Sequence, residues 1–132
     1  MALTLEIVTP EQRALTTECD EVRLPGAVGG FGVRPGHTPI VAELRPGELV
    51  FVAGGKDNRY AVGEGFAEVS GDRVRVLAEE AFRADALDAA AIEKELAARQ
   101  AKLAAMKPGD PAFEQERALV ARAAARLDVA KR

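Results

Sequence analysis

Residues with distinctive chemistry are scarce in this 132-residue sequence, which has no tryptophan, one cysteine and one histidine. A single cysteine, Cys19, cannot form an internal disulfide, which fits a reducing compartment and a small, partly buried residue at a strand end. The single His37 has no second histidine or nearby cysteine, so a metal site with nitrogen and sulfur ligands is disfavoured. No serine or cysteine nucleophile accompanies it. We interpret His37 as a loop residue that makes a hydrogen bond, and we expect no active site and no cofactor.

Long apolar runs and clusters of basic residues are also missing. No stretch of about eighteen apolar residues is present, and the N-terminus lacks the features of a secretory signal, so we expect a soluble chain with no direct membrane span. The net charge is −3 and aromatic residues make up 5%. Nucleic-acid binding is disfavoured because phosphate neutralisation needs clustered lysine and arginine.

The charge is unevenly distributed along the chain. Residues 1–86 carry 9 Lys and Arg against 14 Asp and Glu, whereas residues 87–132 carry 9 against 7. This split indicates two parts that have different partners.

Two glycine-rich stretches invite a phosphate-loop interpretation that their details oppose. Residues 26–32 lead into a strand-like Val33 and a proline rather than into a helix N-terminus. Residues 54–57 are Gly-Gly-Lys-Asp, which resembles the end of a phosphate loop. Val50 stands where such a loop needs glycine, and Asp57 stands where it needs a hydroxyl. Neither stretch predicts nucleotide binding.

The first 86 residues have the pattern of an antiparallel β-sandwich or barrel. Short runs of alternating or continuous apolar residues recur about every ten residues, and Gly- and Pro-containing turns separate them. The clearest runs are Leu3–Ile7, Val22–Leu24, Leu49–Val52, Tyr60–Val62, Phe66–Val69 and Val74–Leu77. No helical segment interrupts them, which disfavours a parallel sheet.

After Phe82 the pattern becomes helical. Residues 87–132 are rich in alanine, and their turn signals are confined to residues 107–111, which predicts a two-helix hairpin. Asp88 is expected to cap the first helix, with Ile92, Leu96, Leu103 and Met106 on one stripe. Asp110 is expected to cap the second, with Pro111 at its first position and Phe113, Val120, Ala124 and Leu127 on its apolar side. The predicted fold class is therefore α+β, an N-terminal antiparallel β-sandwich domain (1–86) followed by a C-terminal α-helical hairpin domain (87–132).

The small side chains of the hairpin remove little apolar area from water. Because each Å² of buried apolar area stabilises by only about 25 cal/mol, the hairpin is held weakly. Such helices can separate from their support while staying helical, because alanine propensity maintains them. A hinged arm and a permanently folded hairpin are both compatible with this sequence.

The tract Phe31-Gly32-Val33-Arg34-Pro35-Gly36-His37-Thr38-Pro39, followed by Leu44-Arg45-Pro46-Gly47, closely resembles the epsilon subunit of F-type ATP synthases. The likeness extends from Glu6-Ile7-Val8-Thr9-Pro10 through Val74–Glu79 to the C-terminal helices. Epsilon subunits have a β-sandwich that binds the gamma subunit and the c ring, and a C-terminal helical hairpin. The resemblance therefore implies a non-catalytic rotor-stalk subunit that couples proton flow to ATP synthesis.

The resemblance assigns contact surfaces to both parts of the chain. Residues 26–39 would face the c ring and lower gamma shaft, with Gly29, Gly30, Phe31, Pro35, Gly36, His37 and Pro39 as contact residues. In bacterial members the hairpin can extend into the catalytic head and block hydrolysis. Arg122 and Arg126, at i and i+4 on one helical face, would then meet an acidic segment of the catalytic beta subunits. The alternative is a solvated face that balances Glu114, Glu116 and Asp128.

Some members of the family bind ATP through an I/L-D-x-x-R-A pattern at the first helix. Leu87 and Asp88 match this pattern, but Ala91 replaces the arginine that would pair with phosphate. We therefore expect weak or absent ATP binding.

The implied location is peripheral, at the cytoplasmic face of a bacterial plasma membrane. The competing interpretation is a free-standing small-ligand-binding β-sandwich with the hairpin as a lid, and a hydrolase ranks below both.

Overall fold

The computed structural model describes residues 2–132, which form ten β-strands, one short 3-10 helix and two α-helices. The strands are β1 (Leu3–Val8), β2 (Arg13–Cys19), β3 (Glu21–Leu24), β4 (Phe31–Val33), β5 (Ile40–Leu44), β6 (Gly47–Ala53), β7 (Lys56–Val62), β8 (Gly65–Ser70), β9 (Arg73–Ala78) and β10 (Ala81–Arg83). The 3-10 helix spans Ala84–Ala86, and the α-helices are α1 (Ala89–Ala104) and α2 (Phe113–Lys131). The expected class, a β-sandwich followed by a helical hairpin, is confirmed.

Two five-stranded sheets face each other across the main core. The first sheet has the order β2-β1-β9-β8-β5 and the second has the order β10-β7-β6-β3-β4. Strand alternation directs one set of side chains inward, as in β9, where Val74 and Val76 are buried while Arg73 and Arg75 are exposed. The largest fully buried side chains of this core are Leu3, Leu5, Ile7, Val22, Val33, Leu44, Leu49, Val62, Val74 and Val76.

One strand pair departs from the antiparallel expectation. β1 and β9 run parallel, with Thr4 opposite Arg73 and Val8 opposite Leu77. The other strand pairs within residues 2–132 are antiparallel. Tight turns impose an antiparallel direction only on strands that are consecutive in the chain, and β1 and β9 are far apart in sequence.

The helical hairpin begins and turns near the predicted positions. The Asp88 carboxylate accepts a hydrogen bond of 3.2 Å from Ala91 N and caps α1, as expected. Pro111 is not the first helical residue of α2, because the Asp110 carboxylate instead closes a turn by accepting from Ala112 N at 2.8 Å, and α2 begins at Phe113.

The apolar side of α2 also differs by one residue from the expected stripe. Ala124 is exposed, whereas Ala123 and Val129 are buried. On α1, Ile92 is buried as expected.

The hairpin lies on the outer face of the second sheet. α2 packs against β6 and β7, and α1 packs against α2. Val50 and Ala61 are buried although they point away from the main core, because α2 covers them. None of the helices in the described residues has the length and apolar character needed to cross a membrane.

Candidate partner-binding surfaces

Two loops flank β5, an edge strand of the first sheet. The glycine loop (residues 25–30) lies at its C-terminal end, where Ala27 N donates a hydrogen bond of 2.8 Å to Glu43 O. The proline loop (residues 34–39) leads into its N-terminal end. The two loops are therefore separated by the length of a five-residue strand, and residues 26–39 do not form one continuous loop surface.

The expected contact residues in these loops differ in exposure. Gly29, Gly30, Gly36 and Pro39 are exposed, whereas Phe31, Pro35 and His37 are half-buried. The proline loop is held in place by Gly36 N, which donates to Asp72 Oδ1 at 2.7 Å in the turn between β8 and β9. His37 makes the loop hydrogen bond expected of it, since its Nδ1 lies 2.7 Å from Thr38 O.

Phe31 supports the glycine loop as well as lining its surface. The ring packs against the main core and lies over Gly26, where an added Cβ would come within 3.0 Å of Phe31 Cδ1 and 2.4 Å of Gly29 O. Gly26 is therefore needed for close packing of the loop. Phe31 has a structural role in addition to the expected contact role.

The outer face of the first sheet carries an exposed apolar patch. Val8, Leu77 and Phe66 are successive partners across β1, β9 and β8. Val41 on the edge strand β5 points to the same face, diagonal to Phe66. Val41 is 73% exposed and Phe66 is 52% exposed. At the tip of the glycine loop, Val28 is fully exposed.

A groove lies on the outer face of the second sheet, beside the end of α2. Its volume is about 570 Å³. Most of its charged side chains pair with one another: Arg23 with Asp57 at 3.0 Å, and Glu48 with both Arg59 at 2.7 Å and Arg132 at 2.8 Å. Glu21 pairs with Arg34 outside the groove at 3.4 Å. Such a groove has few unpaired charges to offer a small charged ligand.

Arg122 and Arg126 face the sandwich and α1 rather than solvent. Arg122 makes a bidentate pair with Glu64, with Nε–Oε1 2.8 Å and Nη2–Oε2 3.0 Å. Arg126 makes a second bidentate pair with Glu95 of α1, at 2.9 and 2.8 Å. Their side chains are only 20% and 14% exposed. In this conformation the two arginines do not balance the acidic residues of their own helix, which was the alternative interpretation of the sequence.

Arg126 joins three parts of the molecule. Besides Glu95, its Nε lies 3.0 Å from Glu80 Oε2, where the sandwich ends. The two groups are close enough for an ion pair, but the N–H does not point at the carboxylate oxygen. The buried Nε therefore has no hydrogen-bond partner among the described residues. The guanidinium also lies 5.9 Å from the centre of the Phe82 ring, in a cation–π arrangement.

These pairs shift the ionisation of the carboxylates. The hydrogen bonds from Arg126, with a smaller contribution from Arg99, lower the pKa of Glu95 from 4.5 to about 2 against the opposing effect of burial. The Arg122 guanidinium likewise lowers the pKa of Glu64. Both carboxylates are therefore charged at neutral pH and hold their arginines.

The residues of the incomplete ATP motif lie at the start of α1. Leu87 is half-buried, and Asp88 and Ala91 are exposed. The Asp88 carboxylate is used as a helix cap. Within residues 2–132, no group of three or more His, Cys, Asp or Glu side chains is arranged to hold a metal ion.

Comparison with known proteins identifies the family. The model of the ATP synthase Delta/Epsilon chain β-sandwich domain matches residues 2–84. The ATP synthase epsilon chain of Anaeromyxobacter sp. (strain K) is 48% identical over 132 residues, covering all of both chains. That of Myxococcus xanthus (strain DK1622) is 43% identical over 128 residues, covering 97% of this chain and 94% of the relative. This chain belongs to the ATP synthase epsilon chain family.

Solved structures share the fold of this epsilon chain family member. A chain in the Euglena gracilis mitochondrial ATP synthase structure, OSCP/F1/c-ring in rotational state 1, matches with a TM-score of 0.80 and 24% identity. The match covers 99% of this chain and 82% of that chain. At this identity the likeness shows the fold, including the sandwich and hairpin together.

Family membership confirms the expected epsilon-type, non-catalytic subunit of ATP synthase and removes support from the free-standing ligand-binding module. Sequence reasoning missed the carboxylates that hold the arginines of α2. Glu80, where the sandwich ends, is one of them: it is 21% exposed and contacts Arg126. The signal that could have found it is the excess of acid in residues 1–86 opposite a basic hairpin.

Proposed function

We propose that this epsilon chain is a rotor subunit of the central stalk, which couples proton flow to ATP synthesis and restrains ATP hydrolysis through its hairpin. The observation that carries the proposal is the combination of family membership with a sandwich that keeps one outer face free while a basic helix covers the other. In this proposal residues 1–86 bind the gamma subunit and the c ring. Residues 87–132 act as a regulatory domain.

The free outer face of the first sheet is the proposed site for the gamma subunit. Exposed Val41 and Phe66, with half-buried Val8 and Leu77, give an apolar centre that a protein partner would cover. Beside this patch, Glu6 pairs with Arg75 at 3.2 Å. Glu43, opposite Phe66, and Glu68, opposite Val41, are exposed and have no ion-pair partner within residues 2–132. A partner that covers this face would therefore have to supply cations for these carboxylates or leave them in water.

The two loops around β5 are the proposed contacts for the c ring and the lower part of gamma. Exposed glycines allow another backbone to approach closely, and Val28 offers an apolar tip. Because a strand separates the loops, they contact different parts of the rotor and can be tested separately. Val28→Ser tests the glycine loop, and His37→Ala tests the proline loop. Neither variant disturbs the core, whereas Phe31→Ala would disturb it.

Co-assembly tests the sandwich part of the proposal. A Val41→Ser, Phe66→Ser double variant should lose most of its co-purification with gamma and the c ring, because the apolar centre is removed. Glu18→Ser, at an exposed position on β2 at the opposite edge of this face, is the control and should assemble normally. Normal assembly of the double variant, with the sandwich folded, would contradict the assignment of this face.

The hairpin is the proposed brake on hydrolysis, acting on the catalytic beta subunits when it is extended. The test compares ATP hydrolysis by the whole complex containing either the intact chain or a chain ended after Leu87. A large rise on truncation, with assembly intact, is expected. No change would leave the hairpin as a structural appendage.

We expect ATP not to regulate this hairpin directly. Ala91 supplies no charge at the arginine position of the motif, and Arg122 and Arg126 are already neutralised by carboxylates. Isothermal titration of the isolated chain with ATP should give no measurable heat at micromolar concentrations. A micromolar Kd would overturn this expectation.

The proposed location is the periphery of a bacterial plasma membrane, on its cytoplasmic face. The relatives named above are bacterial, and assembly with the synthase would hold the chain there without a span of its own. Fractionation should recover the chain with membranes and with the other synthase subunits.

A further inference from the structure

The apolar contact that docks the hairpin on the sandwich is small. Outside the main core, the buried apolar residues are Val50 and Ala61 on the sheet and Ile92, Ala123 and Val129 on the helices. Alanine and valine remove little area from water, so the hydrophobic effect alone holds this interface weakly. Another force must contribute to the docked arrangement.

Charged contacts supply that force, and within residues 2–132 all ion pairs from hairpin to sandwich come from α2 and the residue after it. Arg122 pairs with Glu64, Arg126 contacts Glu80, and Arg132 pairs with Glu48. In addition, Arg59 of the sandwich donates a hydrogen bond of 2.7 Å to the carbonyl of Val129. The Arg122–Glu64 pair is partly buried and bidentate, which makes it stronger than an ordinary surface pair.

A second set of ion pairs holds α1 to α2. Glu95 pairs with Arg126, and Glu116 lies 3.3 Å from Arg99 and 3.4 Å from Lys102. Glu116 is buried, which makes its pairing necessary. α1 therefore follows α2, and α2 decides whether the hairpin is docked.

We infer that the docked hairpin is held by an electrostatic latch, in which Arg122, Arg126 and Arg132 bind the carboxylates of Glu64, Glu80 and Glu48. Docking is then sensitive to ionic strength, because the charges at the rim of the interface are screened by salt. The latch is released as a unit when α2 leaves, while the α1–α2 pairs can remain.

The latch has a regulatory consequence that rests on the proposed function. Arg122 and Arg126 are the residues proposed to meet acidic groups of the catalytic subunits in the extended state. Arg122 held by Glu64 is not available to another carboxylate, and Arg126 becomes available only if it leaves both Glu80 and Glu95. The docked and extended states therefore compete for the same cations. The sandwich carboxylates thereby set how readily the hairpin extends.

The latch is tested first on the isolated full-length chain. Donor and acceptor dyes on cysteines introduced at exposed Ser70 and Lys107 report the distance from sandwich to hairpin turn. Buried Cys19 is replaced by alanine in all versions. The energy transfer at about 0.05 M salt gives the value of the docked state, and it should change as salt rises to about 1 M, where the screening length is about 3 Å.

Removal of the sandwich carboxylates is the decisive variant. Glu64→Gln with Glu80→Gln should lower the docked-to-released ratio by about tenfold, because two arginines lose charged partners. Glu11→Gln with Glu18→Gln, which removes two exposed carboxylates that make no ion pair within residues 2–132, is the matched control and should behave like the parent. Far-UV circular dichroism checks that the sandwich and helices stay folded.

Two outcomes overturn the latch: energy transfer that stays the same at every salt concentration, or a carboxylate variant whose energy transfer matches that of its control. The complex then separates this inference from the proposed brake. Glu64→Gln with Glu80→Gln should deepen inhibition of hydrolysis, whereas Arg122→Ala with Arg126→Ala should relieve it. If docking responds in the isolated chain while hydrolysis does not, the latch stands and the brake is wrong.

Discussion

At the scale of single residues, close backbone approach determines several positions more strictly than side-chain chemistry does. Gly65 is the clearest case, because it opens β8 opposite Ala78 and an added Cβ would lie 1.8 Å from the carbonyl oxygen of Leu77. Backbone of the neighbouring strand cannot move aside without breaking the ladder. Glycine is required there by space alone.

Gly65→Ala should therefore destabilise the sandwich by at least about 2 kcal/mol, as overpacking against rigid backbone does. Chemical denaturation followed by circular dichroism measures the loss. Gly109→Ala is the matched control, since an added Cβ there meets nothing within 4 Å. Equal stability of the two variants would show that β8 and β9 can separate at this point at little cost.

At the scale of elements, ease of prediction follows position in the sheet. The six strands indicated by apolar runs are all central, whereas β2, β4, β5 and β10, which the pattern did not delimit, are the four edge strands. An edge strand has more exposed residues, as β2 with its charged and half-buried side chains illustrates, so the apolar alternation is weak. The hairpin was predictable because its alanine content and its turn signals are local.

The contacts between elements were not predictable in the same way. Arg122 and Glu64 are 58 residues apart in sequence, and no local pattern relates them. The same holds for the parallel pairing of β1 with β9. For the candidate surfaces, the resemblance indicates the two loops as contacts, and this stays a prediction. No local pattern shows that β5 separates these loops or that an apolar patch lies on the outer face of the first sheet.

The contact between α1 and α2 should depend on pH. Glu95 faces Arg99 on its own helix and Arg126 on α2, and Arg126 also contacts Glu80. The pKa of Glu95 is lowered from 4.5 to about 2, so its stabilising contribution is complete above about pH 4.5 and is lost as pH falls toward 2. Thermal unfolding of the hairpin signal should shift downward between about pH 5 and about pH 3.

Glu95→Gln should flatten part of this pH dependence, because the titrating partner of Arg126 is removed. Glu93→Gln is the control on the same helix, since Glu93 is more exposed and lies 3.8 Å from Lys131. An identical pH profile for Glu95→Gln and the parent chain would show that this pair does not contribute.

At the scale of the whole molecule, the main core is complete without the hairpin. Every residue of that core lies between Leu3 and Ala78. A chain ended after Leu87 should therefore unfold cooperatively, with a loss of about 1–3 kcal/mol because Val50 and Ala61 become exposed. Calorimetry of both chains measures this, and a truncated chain without a cooperative transition would mean that the sandwich is not an independent domain.

The parallel pairing of β1 with β9 also determines how the sandwich responds to mechanical force. The N-terminal end of β1 and the C-terminal end of β9, where the chain continues toward the hairpin, lie at opposite ends of one ladder that runs from Thr4–Arg73 to Val8–Leu77. Tension between these two points pulls along the strands, so it shears the whole ladder at once instead of opening its hydrogen bonds one at a time. A pull transmitted through the arm first meets β10 on β7, and beyond that short strand it meets the β1–β9 ladder in shear.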